Sequence, residues 1–218
     1  LIIMEKAFKN DVNLEGIDFV AKILIIGNEC FFGSKLKNFI FNGNTITIGD
    51  KCFQQIDTFT SLSITSEGNI TIGNSAFESC VSILEATIEA KSELKIQDKC
   101  FFGTKNLKKI SLKGDKIVIK SYCFSGSSIQ ILHLYNSENV TLESNAFENC
   151  ESLTNVTINV NATFNAHPDC FSKATNLLSV QINCSCAIIS RCCFAYCTNL
   201  TNFILHSENK ATLCERAF

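Results

Sequence analysis

Ten phenylalanines recur along this chain at a steady beat. Phe8, Phe31, Phe53, Phe77, Phe101, Phe124, Phe147, Phe171, Phe194 and Phe218 are each 22 to 24 residues from the next, and each follows Ala or Cys and nothing else. A fixed period in this range marks a solenoid built by stacking one small unit on the next. A unit of that length cannot bury its own apolar face, so neighbouring units must share one core. The core is then a strip running the length of the stack, and residues 1–218 form a single domain.

The rest of the unit is read by counting from each Phe. Five residues before it stands an aliphatic residue (Ile3, Ile26, Ile48, Ile72, Ile96, Ile119, Leu142, Ile189, Leu213), with Ala166 as the one exception. Seven before it stands another apolar residue, among them Leu24, Ile46, Ile70, Leu94, Ile117 and Val140. Two apolar positions separated by one residue describe a short β-strand with one buried face. Apolar residues also fall six, nine and eleven after the Phe, as in Leu107, Ile110 and Leu112, or Leu153, Val156 and Ile158. The last two of each trio alternate again and give a second strand per unit. The units at Phe31 and Phe124 lose one residue just after the Phe, beside Gly33-Ser34 and Gly126-Ser127-Ser128. The deletion falls in a turn, so the strands keep their phase. Apolar residues at zero, three and six from the Phe predict one or two helical turns, α or 3₁₀. Ten units at the ~4.8 Å spacing of neighbouring strands make a rod or arc about 45–50 Å long.

The unit I-x-I-x-x-x-[A/C]-F-x-x-C-x-x-L-x-x-I-x-I resembles the BspA-like leucine-rich repeat, a class found in surface proteins of bacteria and protists. The G-x-x-[A/C]-F element carries much of the likeness, at Gly27 to Phe31, Gly49 to Phe53 and Gly73 to Phe77. The optional Cys three after the Phe is met by Cys80, Cys150 and Cys197. The Pro that often ends the main strand in that family is missing, and the sole Pro is Pro168. The resemblance covers the whole chain. It implies a repeat solenoid, a leucine-rich-repeat horseshoe or rod, β-rich with short helical turns and about ten repeats. It further implies a non-catalytic module that binds a protein or glycan, part of a surface antigen or adhesin at the cell surface or outside the cell. An intracellular, cytoplasmic scaffold or regulator on the same fold is the alternative.

Composition narrows the field. With 46% hydrophobic residues there is ample material for the strip. The net charge of −2, with charges mixed along the chain, argues against a basic nucleic-acid stripe and against a polybasic membrane patch. No apolar run approaches the ~18–20 residues of a membrane span, so no direct membrane insertion is expected of this segment. The chain begins inside a unit and stops on an anchor Phe, which predicts a segment of a longer protein.

Thirteen cysteines invite a disulfide or zinc reading. Position argues for packing instead. Cys30, Cys52, Cys100, Cys123, Cys170 and Cys193 each precede an anchor Phe, where the only other residue is Ala. A slot that admits only Ala or Cys is tight and buried, and a buried thiol behaves as a small hydrophobe. Cys80, Cys150 and Cys197 share that inward face. The order Ala, Cys, Cys repeats every three units, which points to duplication of a three-unit block. It also places Cys30/Cys52, Cys100/Cys123 and Cys170/Cys193 on adjacent rungs, with Cα atoms about 5 Å apart. Stacked side chains point in parallel, so a bridge there would need twisting. Cys184, Cys186, Cys192, Cys193, Cys197 and Cys214 crowd the C-terminal end, with Cys184 and Cys192 outside the core slots. Their spacings match no common zinc ribbon; free thiols, a local disulfide and zinc remain the readings, in that order.

No catalytic motif is present: there is no G-x-S-x-G, H-E-x-x-H, P-loop or dinucleotide fingerprint, and no enzyme, metal or cofactor is expected. What remains is a surface. Residues ten and twelve after the Phe alternate outward along the main strands, in two rows. Mid-chain these rows hold Thr87, Glu89, Ser111, Lys113, His133, Tyr135, Thr157 and Asn159, the expected partner-binding residues. Lys113, His133 and Tyr135 are the most contact-capable of them.

Overall fold

The computed structural model describes residues 1–218 throughout and is a parallel β-solenoid of about nine turns. Its strands are β1 (Ile2–Ile3), β2 (Gly16–Val20), β3 (Ile23–Ile26), β4 (Asn38–Ile48), β5 (Ser61–Ile72), β6 (Glu85–Ala90), β7 (Glu93–Ile96), β8 (Lys109–Lys113), β9 (Lys116–Ile119), β10 (Ile131–Leu142), β11 (Asn155–Ala166), β12 (Ser179–Ile189) and β13 (Asn202–Leu213). The two strands expected per unit are both there. In β4, β5 and β10 to β13 they run on as one strand through a bend; in β2/β3, β6/β7 and β8/β9 the bend interrupts them. Each turn pairs with the next in the register that the Phe beat sets, for example Thr87 with Ser111 and Glu89 with Lys113.

The ten anchor phenylalanines form one column. Successive ring centroids lie 4.9–5.7 Å apart with planes within 18° of parallel. This is the offset stack that aromatic quadrupoles favour, each pair contributing about 0.5–1.5 kcal/mol beyond area burial. The aliphatic columns from the strands pack round it, and together they make a single core cluster of 60 buried residues.

The helical turn expected around each Phe is not a helix. The residue two before every anchor Phe, from Lys6 to Arg216, has φ of 53–60°. The residue two after it, from Asn10 to Tyr196, has φ of 56–69°. Left-handed residues on both sides of the Phe break any right-handed helix. They serve a different bonding scheme, in which N–H groups donate along the stack. Glu29, Phe31 and Gly33 donate to Asp50, Cys52 and Gln54 of the next turn at 2.8, 2.9 and 3.1 Å. Lys99, Phe101 and Gly103 repeat the pattern onto Ser121, Cys123 and Ser125 at 3.0, 2.8 and 3.0 Å. The zero, three, six spacing thus comes from two consecutive tight turns and not from a helical period.

At the entry to this segment the turns approach one another closely. A Cβ on Gly49 would lie 2.6 Å from the Asn28 nitrogen and the Gly27 carbonyl carbon, and one on Gly73 would lie as close to Asp50 and Gly49. The residue after each glycine links the turns: Asn28 Oδ1 accepts from the Asp50 N–H at 2.9 Å, and Asp50 Oδ1 accepts from the Asn74 N–H at 2.7 Å. The G-x-x-[A/C]-F element is therefore a close-approach site followed by an Asn/Asp ladder.

Phe101 is covered on both faces, by Phe77 at 5.0 Å and Phe124 at 5.1 Å. Phe101→Ala is expected to cost about 3–5 kcal/mol in urea denaturation. Its exposed neighbour Phe102, changed to Ala, is expected to cost under about 0.5 kcal/mol. Similar losses at both would show that the column does not carry the stability.

Candidate functional site

The strand alternation turns two rows of side chains outward. The row ten after the Phe includes Asp18, Ile40, Thr87, Ser111, His133, Thr157, Gln181 and Ile204; the row twelve after it includes Val20, Asn42, Thr65, Glu89, Lys113, Tyr135, Asn159, Asn183 and His206. Three shallow depressions follow the second row. The first (≈ 500 Å³) is lined by Val20, Asn42, Thr65, Glu89 and Lys113, among others. The second (≈ 590 Å³) shares Glu89 and Lys113 and adds Tyr135. The third (≈ 850 Å³) takes Asn159, Asn183 and His206. Every member of the second row thus lines one groove, which runs across the strands from Val20 to His206.

Of the residues singled out from the sequence, Glu89, Ser111, Lys113, His133 and Tyr135 come together at the middle depression. Asn159 lines the third. Thr87 and Thr157 line neither; they are half-buried in the first row, paired in register with Ser111 and His133. The His133 and Tyr135 rings meet edge-on, 5.4 Å between centroids and 73° between planes.

The middle depression opens where the ladder thins. β6 pairs with β8 over five residues, Glu85–Glu89 with Lys109–Lys113, whereas β8 pairs with β10 only at Lys109 and Ile131. Next to it β10 carries a bulged residue, Asn136, with φ of 58°. Asn136 lines both the second and the third depression. Spacing could not reveal it, because the residue gained before the bend is lost after it: the register passes from Ser137–Val160 to Asn139–Thr163.

Charge is not evenly mixed here, as the chain average implied. Residues 91–120 hold nine lysines against three acidic residues. Lys91, Lys116 and Lys120 pair with Glu67, Glu93 and Glu143. Lys108, Lys109 and Lys113 are exposed, make no ion pair and line the middle depression beside Glu89.

All thirteen cysteines are free. Those preceding an anchor Phe are buried, as are Cys80 and Cys150, while Cys197 is half-buried. Cys80, Cys150 and Cys197 each donate their thiol to the carbonyl of the Phe one turn back, Phe53, Phe124 and Phe171, at 3.0, 3.2 and 3.2 Å. Burial pushes Cys80 and Cys150 up to about 12 and Cys197 up to about 11. Burial also raises Cys52, Cys100 and Cys170 well above the usual thiol range, and the thiol on the adjacent turn adds to the effect. These are the opposite of activated nucleophiles, which need exposure and a lowered pKa.

One placement differs from expectation. Cys184 is a core residue, 6% exposed, with its thiol raised by burial. It belongs to an inward column at the bend that also holds Ala21, Gly43, Ser66, Ala90, Gly114, Ser137, Val160 and Ser207. The chain folds back over the core there and leaves room only for small side chains. That restriction, thirteen residues after the Phe in most units, was the overlooked sign. The C-terminal cysteines do not converge: no three His, Cys, Asp or Glu side chains are grouped so as to hold a metal ion.

A family model described as the BspA type leucine rich repeat region matches residues 1–130 and 94–218, in six copies. The crystal structure of a leucine-rich repeat protein from Bacteroides ovatus ATCC 8483, at 1.19 Å resolution, aligns over 96% of this chain and 78% of its own, with 13% identity and a TM-score of 0.34. Among curated proteins, none matches this chain.

The buried thiols give stability a pH dependence. The folded-state values of Cys80 and Cys150 lie above the ordinary 9.0, so the stabilisation these two contribute is whole below about pH 9 and is lost as pH rises toward about 12. The urea midpoint is expected to fall steadily between those values, and less steeply in Cys80→Ala/Cys150→Ala. A flat profile in the unmodified chain would contradict the burial of these thiols.

Proposed function

This chain belongs to the BspA-type leucine-rich-repeat family, and on that footing we propose that it is a non-catalytic binding module whose contact surface is the groove along the second outward row. The family is one of repeat modules for protein interaction. The observation that carries the choice of surface is the convergence of Glu89, Ser111, Lys113, His133 and Tyr135 on one depression within that groove. Tyrosine and charged groups presented on a rigid sheet supply the central anchors of an interface, while the surrounding Thr, Ser and Asn supply adaptable hydrogen bonds. The partner is a protein or glycan, and the setting is the cell surface, in adhesion. No helix of the chain is long and apolar enough to cross a membrane.

A second reading, an intracellular scaffold on the same surface, is favoured by one observation. Thirteen free thiols are most easily kept reduced in a cytosol.

The test is an array of immobilised proteins and glycans probed with the recombinant chain. Lys113→Ala/His133→Ala/Tyr135→Ala is expected to weaken the strongest interaction at least about tenfold, with an unchanged far-UV circular dichroism spectrum. Unchanged binding would remove this surface from the account. Location is read separately, by tagging the protein in its native cell: surface labelling supports adhesion, and a cytosolic signal supports the scaffold.

A further inference from the structure

We propose that the groove takes an acidic polysaccharide, with carboxylate or sulfate groups over Lys108, Lys109 and Lys113 and a sugar ring against Tyr135. This rests on the reading of the groove as the binding surface and deepens it by naming the class of ligand.

Charge is the first argument. Three exposed lysines without ion pairs share one depression with a single carboxylate, Glu89. Glu85 stands opposite Lys109 and Glu89 opposite Lys113 in register, but neither closes an ion pair. Elsewhere along the groove the excess is smaller or reversed: the first depression sets Lys22, Lys91 and the shared Lys113 against Glu67 and Glu89, with Lys91 paired to Glu67, and the third holds Glu208 and no lysine. The attraction for an anion is therefore centred on β8 and the residue before it. All three cations are lysines, compact point charges without the bidentate fork that arginine offers to phosphate. They suit single anionic groups spaced along a polymer.

The walls argue for a saccharide over a peptide. Ile110 and Leu112 point into the core, so the apolar surface offered is that of Ile131 and Tyr135. Two exposed apolar side chains in a mostly polar lining offer little to the buried aromatic or aliphatic anchor on which a peptide interface depends. Tyr135, 38% exposed and held edge-on by His133, presents an apolar ring face with a polar tip. Beyond it lie the amides of Asn136, Asn159 and Asn183, and the Asn183 Nδ2 donates to Asn159 Oδ1. Amides carry donor and acceptor together, as hydroxyl-rich ligands require.

Extent is the third argument. At ~4.8 Å per strand the second row covers about 38 Å, the reach of a chain ligand rather than a small molecule.

The experiment measures retention of the recombinant chain on immobilised hyaluronan (carboxylated), heparin (sulfated), dextran (neutral) and polyglutamate. Retention on hyaluronan or heparin, falling about tenfold as salt is raised, is the expected result, with little on dextran or polyglutamate. Lys108→Gln/Lys109→Gln/Lys113→Gln is expected to reduce it about tenfold, and so is Tyr135→Ala with the lysines intact. The control Lys95→Gln/Lys99→Gln/Lys105→Gln removes the same charge from residues outside the depression and should leave retention nearly unchanged. Equal retention on polyglutamate, equal loss in the control, or no retention on either acidic polysaccharide overturns the proposal. If only the acidic polysaccharides fail, while an array ligand is still lost with Lys113→Ala/His133→Ala/Tyr135→Ala, the ligand class falls and the groove stands. If no ligand depends on the groove, both fall. Circular dichroism of each variant excludes unfolding as the cause.

Discussion

The step from one turn to the next is the distance on which this structure depends. Backbone hydrogen bonds along the stack fix it, in the strands and again around each anchor Phe. Every inward position must then accept a copy of itself about 5 Å away. A flat aromatic ring does so by offset stacking, which is why Phe fills the anchor column without exception. The slot before it admits Ala or Cys because its neighbour of the same kind is one step off. The bend admits little beyond Gly, Ala, Ser and Cys for the same reason. Each contact is small, and the fold's stability is their sum over neighbouring turns.

That repetition made much of the molecule legible in its sequence. The period gave the solenoid, the alternation gave the buried faces, and the two outward rows emerge in the register expected from counting. Three features escaped, each for a physical reason. The stretch around the Phe looked helical because two successive tight turns place apolar residues three apart, just as a helix does. The core position of Cys184 escaped because its column is defined by smallness and not by hydrophobicity. The lysine concentration in 91–120 escaped because a net charge of −2 averages over turns that differ strongly.

The same repetition separates stability from recognition. Inward columns are constrained by their own copies, so chemical variety collects on the outward rows. The thiols illustrate the inward case: they are numerous, yet burial and hydrogen bonds to the Phe carbonyls make them packing elements. The outward row twelve after the Phe changes from Val20 through Glu89, Lys113 and Tyr135 to Asn183 and His206 without disturbing a single inward column. A surface of this kind can acquire specificity one turn at a time.

A regular stack also makes its irregularities informative. Between β8 and β10 three of them coincide: the strand pairing shrinks to one residue pair, Asn136 bulges with a left-handed backbone, and Lys108, Lys109 and Lys113 stand without ion pairs. Reduced pairing and a left-handed Asn each lower the stability of an otherwise optimal array. Lys109 and Lys113 stand four residues apart on one strand, opposite Glu85 and Glu89, with which they close no ion pair. The inward columns pass through the same turns unbroken, so these irregularities are confined to the outward face. An anionic ligand over the lysines would act on the last of the three, and the coincidence, more than the exposure of any one residue, is why the proposed recognition surface is centred on the middle of the groove.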